Sequence, residues 1–228
     1  MVIQVIFLTI AAYLVGSIPA AYLVAKWRRG VDIRNHGSGN VGAANTLTVV
    51  GKRWSVFVTI FDIGKGALMV WFAQLLDFNI ASQAAVGIAT IIGHDWPVFL
   101  RFQGGRGVFT SLGVIAILNP WLGLIALVYP YLFFAPFKQV ALGVSTVMVI
   151  IPITSALAHE PFGIEEPLTI TLAIVVIMVV MATRRLTAPR SPISKDIPLY
   201  KLIFYRMLFD RDIKDRKAWI NHQRDESG

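Results

Sequence analysis

Two short glycine-rich segments carry the residue types that suit the binding of an anion. Residues 37–45 read Gly-Ser-Gly-Asn-Val-Gly-Ala-Ala-Asn, and residues 93–107 begin with Gly-His and end with Gly-Gly-Arg-Gly. Runs of glycine let several backbone N–H groups converge on one oxyanion, and a nearby arginine supplies the opposite charge. These segments, the first and second glycine loops, therefore predict a site for a phosphate-bearing compound.

The first glycine loop combines polar side chains with bare backbone. We expect Ser38 and Asn40 to contact substrate as catalytic residues, although Ser38 could instead be a helix N-cap. Asn45 either orients a phosphate or caps the following helix. Three glycines are expected to bring the backbone close to the ligand or, alternatively, to let helices pack closely: Gly37, Gly39 and Gly42.

The second glycine loop offers the stronger anion site, because Arg106 stands among glycines. A solvated surface arginine is the alternative for this residue. His94 is a candidate catalytic residue, with structural bracing of the loop as the other interpretation. The glycines expected to bind substrate through their backbone are Gly104, Gly105 and Gly107.

The elements that must position these loops are apolar. Of the 228 residues, 56% are apolar and 15% are charged, against roughly 25% charged in an average soluble domain. Such a chain is typical of an integral membrane protein. The absence of cysteine excludes disulfides, thiolate nucleophiles and cysteine-based zinc sites. The N-terminal apolar run has no basic leader and no small-residue cleavage site, which favours a retained helix over a signal peptide.

Seven apolar segments predict an all-α, polytopic membrane helix bundle formed by residues 1–183. Several are shorter than the roughly 20 residues of an ordinary span. Residues 108–137 form either one kinked helix or two helices that turn at Asn119 and Pro120. With two helices there, the segments are 2–25, 54–76, 80–92, 108–118, 121–137, 140–157 and 168–182.

Asp62 and Lys65 are three residues apart within one of these segments, so they share a helix face. Charges inside a membrane are costly unless they are paired or hydrated, which makes a functional role the default. We expect Lys65 to reach the phosphate region, and Asp62 either to pair with it or to face the cytoplasmic loops. Asp32 and Arg34 are expected to brace the first loop.

The charges predict the orientation of the bundle. With the N-terminus outside, all of the 21 lysines and arginines except Lys65 fall in segments predicted to be cytoplasmic. Basic residues are retained on that side during insertion. The net charge of +8 is therefore explained without a nucleic-acid partner. The predicted outer turns carry only acids: Asp77, Glu160, Glu165 and Glu166.

The composition changes after residue 183. Residues 184–228 form a basic, polar cytoplasmic tail. Apolar side chains recur within it at helical spacing, which indicates either an amphipathic helix lying on anionic lipid or a helix packed on the cytoplasmic face of the bundle. These apolar residues are Tyr200, Ile203, Phe204, Met207 and Leu208.

Four motifs occur together in this chain: Gly-Ser-Ile-Pro at 16–19, Asp-Ile-Arg at 32–34 leading into the first loop, Asp-Ile-Gly-Lys-Gly at 62–66, and the second loop. In order and spacing they resemble the acyl-phosphate:glycerol-3-phosphate acyltransferases of bacterial membranes, the PlsY family. The motifs cover about residues 10–120, and the apolar pattern fits to about residue 183.

The resemblance implies transfer of a fatty acyl group from acyl phosphate to the 1-hydroxyl of glycerol 3-phosphate, giving lysophosphatidic acid and phosphate. It implies no metal, no coenzyme A and no other cofactor. Acyl phosphate is an activated anhydride, so the chemistry needs mainly charge neutralisation and alignment. We expect a monomeric, multi-pass protein of the bacterial inner membrane whose partners are its two substrates and membrane lipid.

The chain departs from the family pattern at three places. Thr48 stands where the family usually has arginine, and residues 137–141, ending in Ala141, replace Thr-Arg-Tyr-Val-Ser. Arg184 and Arg185 begin a segment that lacks the usual histidine and asparagine. Arg106 itself replaces a lysine, which keeps the charge and changes the donor geometry. The alternative predictions are therefore a weakly active paralogue or one with an altered substrate.

Two other classes of protein fit parts of the pattern. Residues 37–42 match the dinucleotide-binding sequence Gly-x-Gly-x-x-Gly, but that motif requires a strand before it and a soluble βαβ unit around it. We reject it because apolar spans flank the motif here. A transporter of a phosphorylated small molecule is the other candidate, although the polar clusters gather at one membrane face, which favours an interfacial enzyme.

Overall fold

The computed structural model describes residues 2–215 and 218–219, and these are helical with connecting loops. Three-residue helical turns occur at Ile33–Asn35, Val98–Leu100, Glu160–Phe162 and Pro192–Ser194. The longer helices are α1 (Val2–Gly16), α2 (Ala20–Arg29), α3 (Ala43–Val49), α4 (Lys52–Leu75), α5 (Ile80–Asp95), α6 (Val108–Leu118), α7 (Pro120–Phe134), α8 (Val140–Leu157), α9 (Pro167–Leu186) and α10 (Leu199–Phe209).

The membrane character of the chain is confirmed at the level of its helices. Four helical stretches are long and apolar enough to cross a membrane, and the shorter α6 and α7 are also apolar. Large apolar side chains are exposed on the outside of the bundle, where lipid would cover them. The four long stretches are Val2–Arg29, Lys52–Leu75, Val140–Leu157 and Pro167–Leu186.

The predicted first span is not one continuous helix. The chain leaves α1 at Gly16 and enters α2 only at Ala20. Pro19 supplies no backbone N–H, and its ring opposes a helix through the preceding turn. The break releases the main-chain carbonyls of Gly16 and Ile18, which accept hydrogen bonds from Lys65 at 3.0 and 3.3 Å.

The ambiguous stretch 108–137 forms two helices, α6 and α7, which pack against each other. Asn119 separates them. Its side-chain oxygen accepts a hydrogen bond from the backbone N–H of Leu122 at 3.0 Å, and Pro120 takes the first helical position, where its missing N–H costs nothing. Of the two alternatives, the structure therefore shows two helices that turn at Asn119 and Pro120, and α7 ends three residues before the predicted boundary at residue 137.

Glycines let the helices of the bundle approach closely. The main contacts pair α4 with α6, α1 with α5, and α7 with both α6 and α8. A Cβ atom at Gly113 would overlap the main-chain carbonyl of Ile63, and one at Gly93 would overlap that of Tyr13. In a membrane the hydrophobic effect does not drive helices together, so helix association depends on the van der Waals contacts that small residues allow.

The tail returns to the bundle. Helix α10 packs against α8 and α9, with Leu202 and Arg206 buried in the contact. On its other side Tyr200 and Phe204 are exposed. The last part of the predicted tail, residues 216–217 and 220–228, lies outside the described residues.

Candidate functional site

A buried ionic cluster forms where the break between α1 and α2 meets α4 and α5. Nζ of Lys65 lies 2.9 Å from Oδ1 of Asp62 and 2.8 Å from Nδ1 of His94. Because an ammonium group can only donate, Nδ1 of a neutral His94 ring must accept, and the ring proton is then on Nε2. That nitrogen faces Gly105. The cluster therefore links the interior of the bundle to the second glycine loop.

The first glycine loop is braced by Asn45, which lies inside α3 and is 2% exposed. Its side-chain oxygen accepts from the N–H of Ser38 at 3.0 Å. Its amide nitrogen donates to the carbonyls of Ile33 at 3.1 Å and His36 at 2.9 Å. Gly37 turns back through a positive φ of 58°, a conformation that glycine adopts without strain. One neutral side chain thus supplies three of the hydrogen bonds that hold this loop.

Arg34 connects the two glycine loops. Its guanidinium pairs with Asp32 at 2.6 Å, and its Nη1 approaches the carbonyl of Leu100 at 3.4 Å and the side-chain oxygen of Gln103 at 3.5 Å. The hydrogen bond from Arg34 holds the pKa of Asp32 below its usual value. The pair has the bracing contacts expected from the sequence, and Arg34 also borders the cavity between the loops.

A polar cavity of about 440 Å³ lies between the two glycine loops and the segment that follows α9. Among its described lining residues, four arginines face one carboxylate, which makes the cavity suitable for an anion. The charged residues are Arg34, Arg106, Arg184, Arg190 and Asp212. The predicted site residues that line it are Gly37, Ser38, Gly39, Asn40, Gly104 and Arg106.

An apolar cavity of about 260 Å³ runs between α6, α7 and α8. Its walls are largely aliphatic, and its polar end contains His94, Asp62 and Arg185. Asn40 and Arg106 line both cavities. The site therefore joins a cationic compartment to an apolar one, an arrangement that suits a charged headgroup attached to an alkyl chain. The aliphatic lining includes Leu112, Ile115, Leu127, Val144, Val147 and Met148.

Not every predicted site residue reaches a cavity. In the described part of the chain, four of them line neither of these two cavities: Gly42, Asn45, Lys65 and Gly105. Lys65 is instead surrounded by the buried ionic cluster. His94 and Gly107 border the apolar cavity.

In the sequence, Arg184 stands out only as a departure from the family pattern. In the structure it holds the second glycine loop. Its Nε donates to the carbonyl of Gly105 and its Nη2 donates to that of Gly104, both at 2.8 Å. The N–H of Gly105 in turn donates to the carbonyl of His94 at 3.0 Å. The signal that could have drawn attention to it is an arginine directly at the end of an apolar span.

Two acidic residues of the tail also reach the site. Asp210 forms an ion pair with Arg106. Oδ1 of Asp212 accepts from Arg206 at 2.7 Å, and its Oδ2 accepts from Ser191. Burial opposes ionisation of Asp212, but the hydrogen bonds from Arg206 and Ser191 outweigh it and hold its pKa below the usual value.

The remaining departures lie at different distances from the cavities. Thr48 is exposed on α3, where its hydroxyl approaches the carbonyl of Ala44 at 3.5 Å. Ala141 borders the apolar cavity.

Within the residues that the structure describes, no three His, Cys, Asp or Glu side chains gather as they would around a metal ion.

Comparison with known proteins identifies the family. The sequence model of the family described as glycerol-3-phosphate acyltransferase matches residues 6–189. Glycerol-3-phosphate acyltransferase 5 of Dehalococcoides mccartyi is 48% identical over 95% of this chain and 92% of its own length. Glycerol-3-phosphate acyltransferase 4 of the strain CBDB1 is 46% identical over 92% of this chain and 90% of its own.

A solved structure is similar in fold. The glycerol 3-phosphate form of PlsY (YgiH), an integral membrane glycerol 3-phosphate acyltransferase, superposes with a TM-score of 0.72 and 33% identity. The match covers 80% of this chain and 88% of that one. The chain belongs to the glycerol-3-phosphate acyltransferase family.

Proposed function

We propose that this protein transfers a fatty acyl group from an acyl phosphate to the 1-hydroxyl of glycerol 3-phosphate. The observation that carries the proposal is the meeting of the cationic and apolar cavities at Asn40 and Arg106. Both substrates bear a phosphate and one also bears an alkyl chain, so together they need both compartments. The names of the relatives and of the similar structure support glycerol 3-phosphate as the acceptor.

The reaction requires the hydroxyl oxygen to attack the acyl carbonyl carbon. The carbon–oxygen bond to phosphate breaks, inorganic phosphate leaves, and the hydroxyl proton passes to the departing phosphate or to solvent. No residue needs to form a covalent intermediate, because the mixed anhydride is already activated. Alignment and stabilisation of negative charge supply the rate enhancement.

We assign the roles of the site residues from their positions. Arg106 and Ser38 bind phosphate in the polar cavity, and Asn40 orients the reacting groups at the junction. The neutral His94 ring directs its Nε2 towards Gly105 and shapes the second loop. Lys65 acts through His94 rather than on phosphate directly, because the buried cluster surrounds its amine.

Arg184 compensates for the altered third motif. Its guanidinium holds the carbonyls of Gly104 and Gly105 in the second glycine loop, and it adds positive charge to the polar cavity. This role favours an active enzyme over a weakly active paralogue.

The donor is tested with purified protein, palmitoyl phosphate and glycerol 3-phosphate, with released phosphate as the readout. We expect turnover that a chelator does not reduce. Palmitoyl coenzyme A is the matched alternative donor. Turnover with the coenzyme A ester alone, or loss of activity on chelation, would contradict the donor assignment.

The orientation follows from the charge distribution. We propose seven crossings, with the N-terminus outside, the C-terminus in the cytoplasm and both cavities opening to the cytoplasmic face of a bacterial inner membrane. The protein acts as a monomer, since the described residues provide both cavities. A reporter fused after Gly228 should be cytoplasmic and one inserted near Glu160 external. The reverse labelling would overturn this topology.

A further inference from the structure

A carboxylate from the tail stands beside the arginine assigned to phosphate binding. The main-chain carbonyl of Asp210 accepts from Nη1 of Arg106 at 2.6 Å, and its carboxylate pairs with the same nitrogen. Nε of Arg185 lies 3.5 Å from the same carboxylate oxygen. Asp210 thus contacts two guanidinium groups, one from the second glycine loop and one from the end of α9.

The position of Asp210 is fixed by the end of α10. The residue ends α10 in the left-handed conformation, with a positive φ of 56°, which aspartate adopts more readily than most non-glycine residues. One turn earlier, the carbonyl of Met207 accepts hydrogen bonds from Nη1 of Arg185 at 2.7 Å and from the hydroxyl of Ser145 at 2.8 Å. The last turn of α10 is therefore attached to both α8 and α9.

A second anchor holds the segment between α9 and α10. Arg206 donates to the carbonyls of Leu186 at 2.9 Å, Ala188 at 2.6 Å and Pro189 at 2.9 Å. It also pairs with Asp212 at 2.7 Å. A buried arginine with this many partners ties the tail to the end of α9, so Asp210 is presented to the site by a fixed support.

The contact explains how a flexible arginine can be held ready for a phosphate. Arginine loses up to about 2 kcal/mol of side-chain entropy when it is ordered, and a partner that orders it beforehand removes that cost from binding. Of the Arg106 nitrogens, Nη1 is the one that contacts Asp210 in the described part of the chain, and a guanidinium has five N–H donors. The other nitrogens are therefore left to receive an anion.

We propose that Asp210 is a positioning residue for glycerol 3-phosphate, which holds Arg106 in place at the junction of the two cavities while Arg185 supports Asp210. The inference rests on the proposed binding of phosphate by Arg106. It gives the tail a role in substrate binding. The family sequence model ends at residue 189, whereas the match with the first Dehalococcoides relative spans 216 residues and so extends past that point.

The test compares Asp210→Asn with Asp196→Asn in the full chain. Asp196 is exposed in the tail between α9 and α10, so this variant makes the same chemical change away from the site. We expect Asp210→Asn to raise both the KM and the calorimetric dissociation constant for glycerol 3-phosphate about tenfold, the effect of one lost charge-assisted contact. The kcat and the thermal unfolding midpoint should stay near those of the parent, and Asp196→Asn should match the parent throughout.

A double-mutant cycle shows whether Asp210 acts through Arg106. If it does, Asp210→Asn should change the dissociation constant less than about twofold in the Arg106→Ala background, because coupled residues are not additive. An equal tenfold effect in both backgrounds would overturn the proposal. Unchanged binding in the single variant would also overturn it, as would tighter binding, which would mean that Asp210 competes with phosphate.

Two controls keep the outcomes separate. Should Asp210→Asn unfold, Asp210→Glu carries the test, since it keeps the charge and should bind glycerol 3-phosphate within a few-fold of the parent. Loss of binding in this folded variant would contradict positioning through charge. The parent protein with palmitoyl phosphate tests the proposed function itself, and calorimetry of glycerol 3-phosphate binding does not depend on the acyl donor.

Discussion

The two glycine loops are held in opposite ways. The first is fixed by the neutral side chain of Asn45, whose partners all lie within twelve residues of it along the chain. The second is fixed by Arg184, 79 and 80 positions away from the two carbonyls it binds, and Arg106 within it contacts Asp210 across 104 positions. One loop is a local structure and the other depends on the folded bundle and its tail.

The difference matters for binding an anion. A neutral amide satisfies the polar groups of the first loop without adding charge. In the second loop, the guanidinium of Arg184 binds the carbonyls of Gly104 and Gly105 and also adds positive charge to the polar cavity. Hydrogen bonds to charged groups contribute about 1.5–3 kcal/mol, against about 0.5–1.5 kcal/mol for neutral ones. We therefore expect the second loop to be both more important for catalysis and more sensitive to mutation.

The largest effect is expected for Arg184→Ala. It removes two charge-assisted hydrogen bonds and leaves the carbonyls of Gly104 and Gly105 without these donors. With about 1.5–3 kcal/mol for each bond and a factor of ten for each 1.36 kcal/mol, kcat/KM should fall roughly a hundredfold or more. Arg184→Lys, which can replace one of the two bonds, should be intermediate. If both variants had the kcat/KM of the parent protein, the contact of Arg184 with the two glycine carbonyls would not shape the second loop.

Arg106→Ala should have the next largest effect. Loss of one charge-assisted bond to phosphate should lower kcat/KM roughly ten- to a hundredfold. Arg106→Lys should retain most of the activity, because the charge survives. Steady-state assays on membranes with equal amounts of each variant measure this. An alanine variant as active as the parent would remove Arg106 from the site.

Asn45→Ala tests the local brace. The change removes three neutral hydrogen bonds from the first loop, and we expect kcat/KM to fall about tenfold as the loop loosens. Thr48→Ala is the matched control, because Thr48 is exposed on the same helix. An Asn45→Ala variant no worse than this control would indicate that the glycines define the loop without a brace.

The smallest effect concerns acid stability of the tail. The folded pKa of Asp212 is lowered, so its stabilising contribution is present above the ordinary aspartate pKa of about 3.9 and is lost as the pH falls through the lower folded value. Thermal unfolding followed between pH 7 and pH 3 should show an extra loss at the acidic end, and Asp212→Asn should reduce it. A pH dependence identical in the two proteins would exclude Asp212 as its source.

The sequence was informative where the controlling interactions are local. Asn119 and Pro120 marked the turn between α6 and α7, because a capping side chain and a missing N–H act at that position. The glycines marked the first loop because the turn there depends on the backbone freedom of those residues themselves. Pro19 carried a comparable signal for the break after α1, but the predicted span 2–25 did not take it into account.

Contacts between residues that are far apart along the chain could not be predicted from such local patterns. Nothing in the neighbourhood of Arg184 indicates that its partners are Gly104 and Gly105, and the predicted role of Lys65 ignored the carbonyls released by the break in the first span. The pairing of Asp210 with Arg106 depends on how α10 returns to the bundle. Such contacts follow from the packing of whole helices and from no local pattern.

The most direct test of the central claim is a crystal structure of this protein with lysophosphatidic acid bound. We predict the phosphate beside Arg106 in the polar cavity and the acyl chain between α6, α7 and α8, with the ester at Asn40. An acyl chain lying elsewhere on the bundle, or a phosphate with no contact to Arg106, would contradict the junction of the two cavities as the site of acyl transfer.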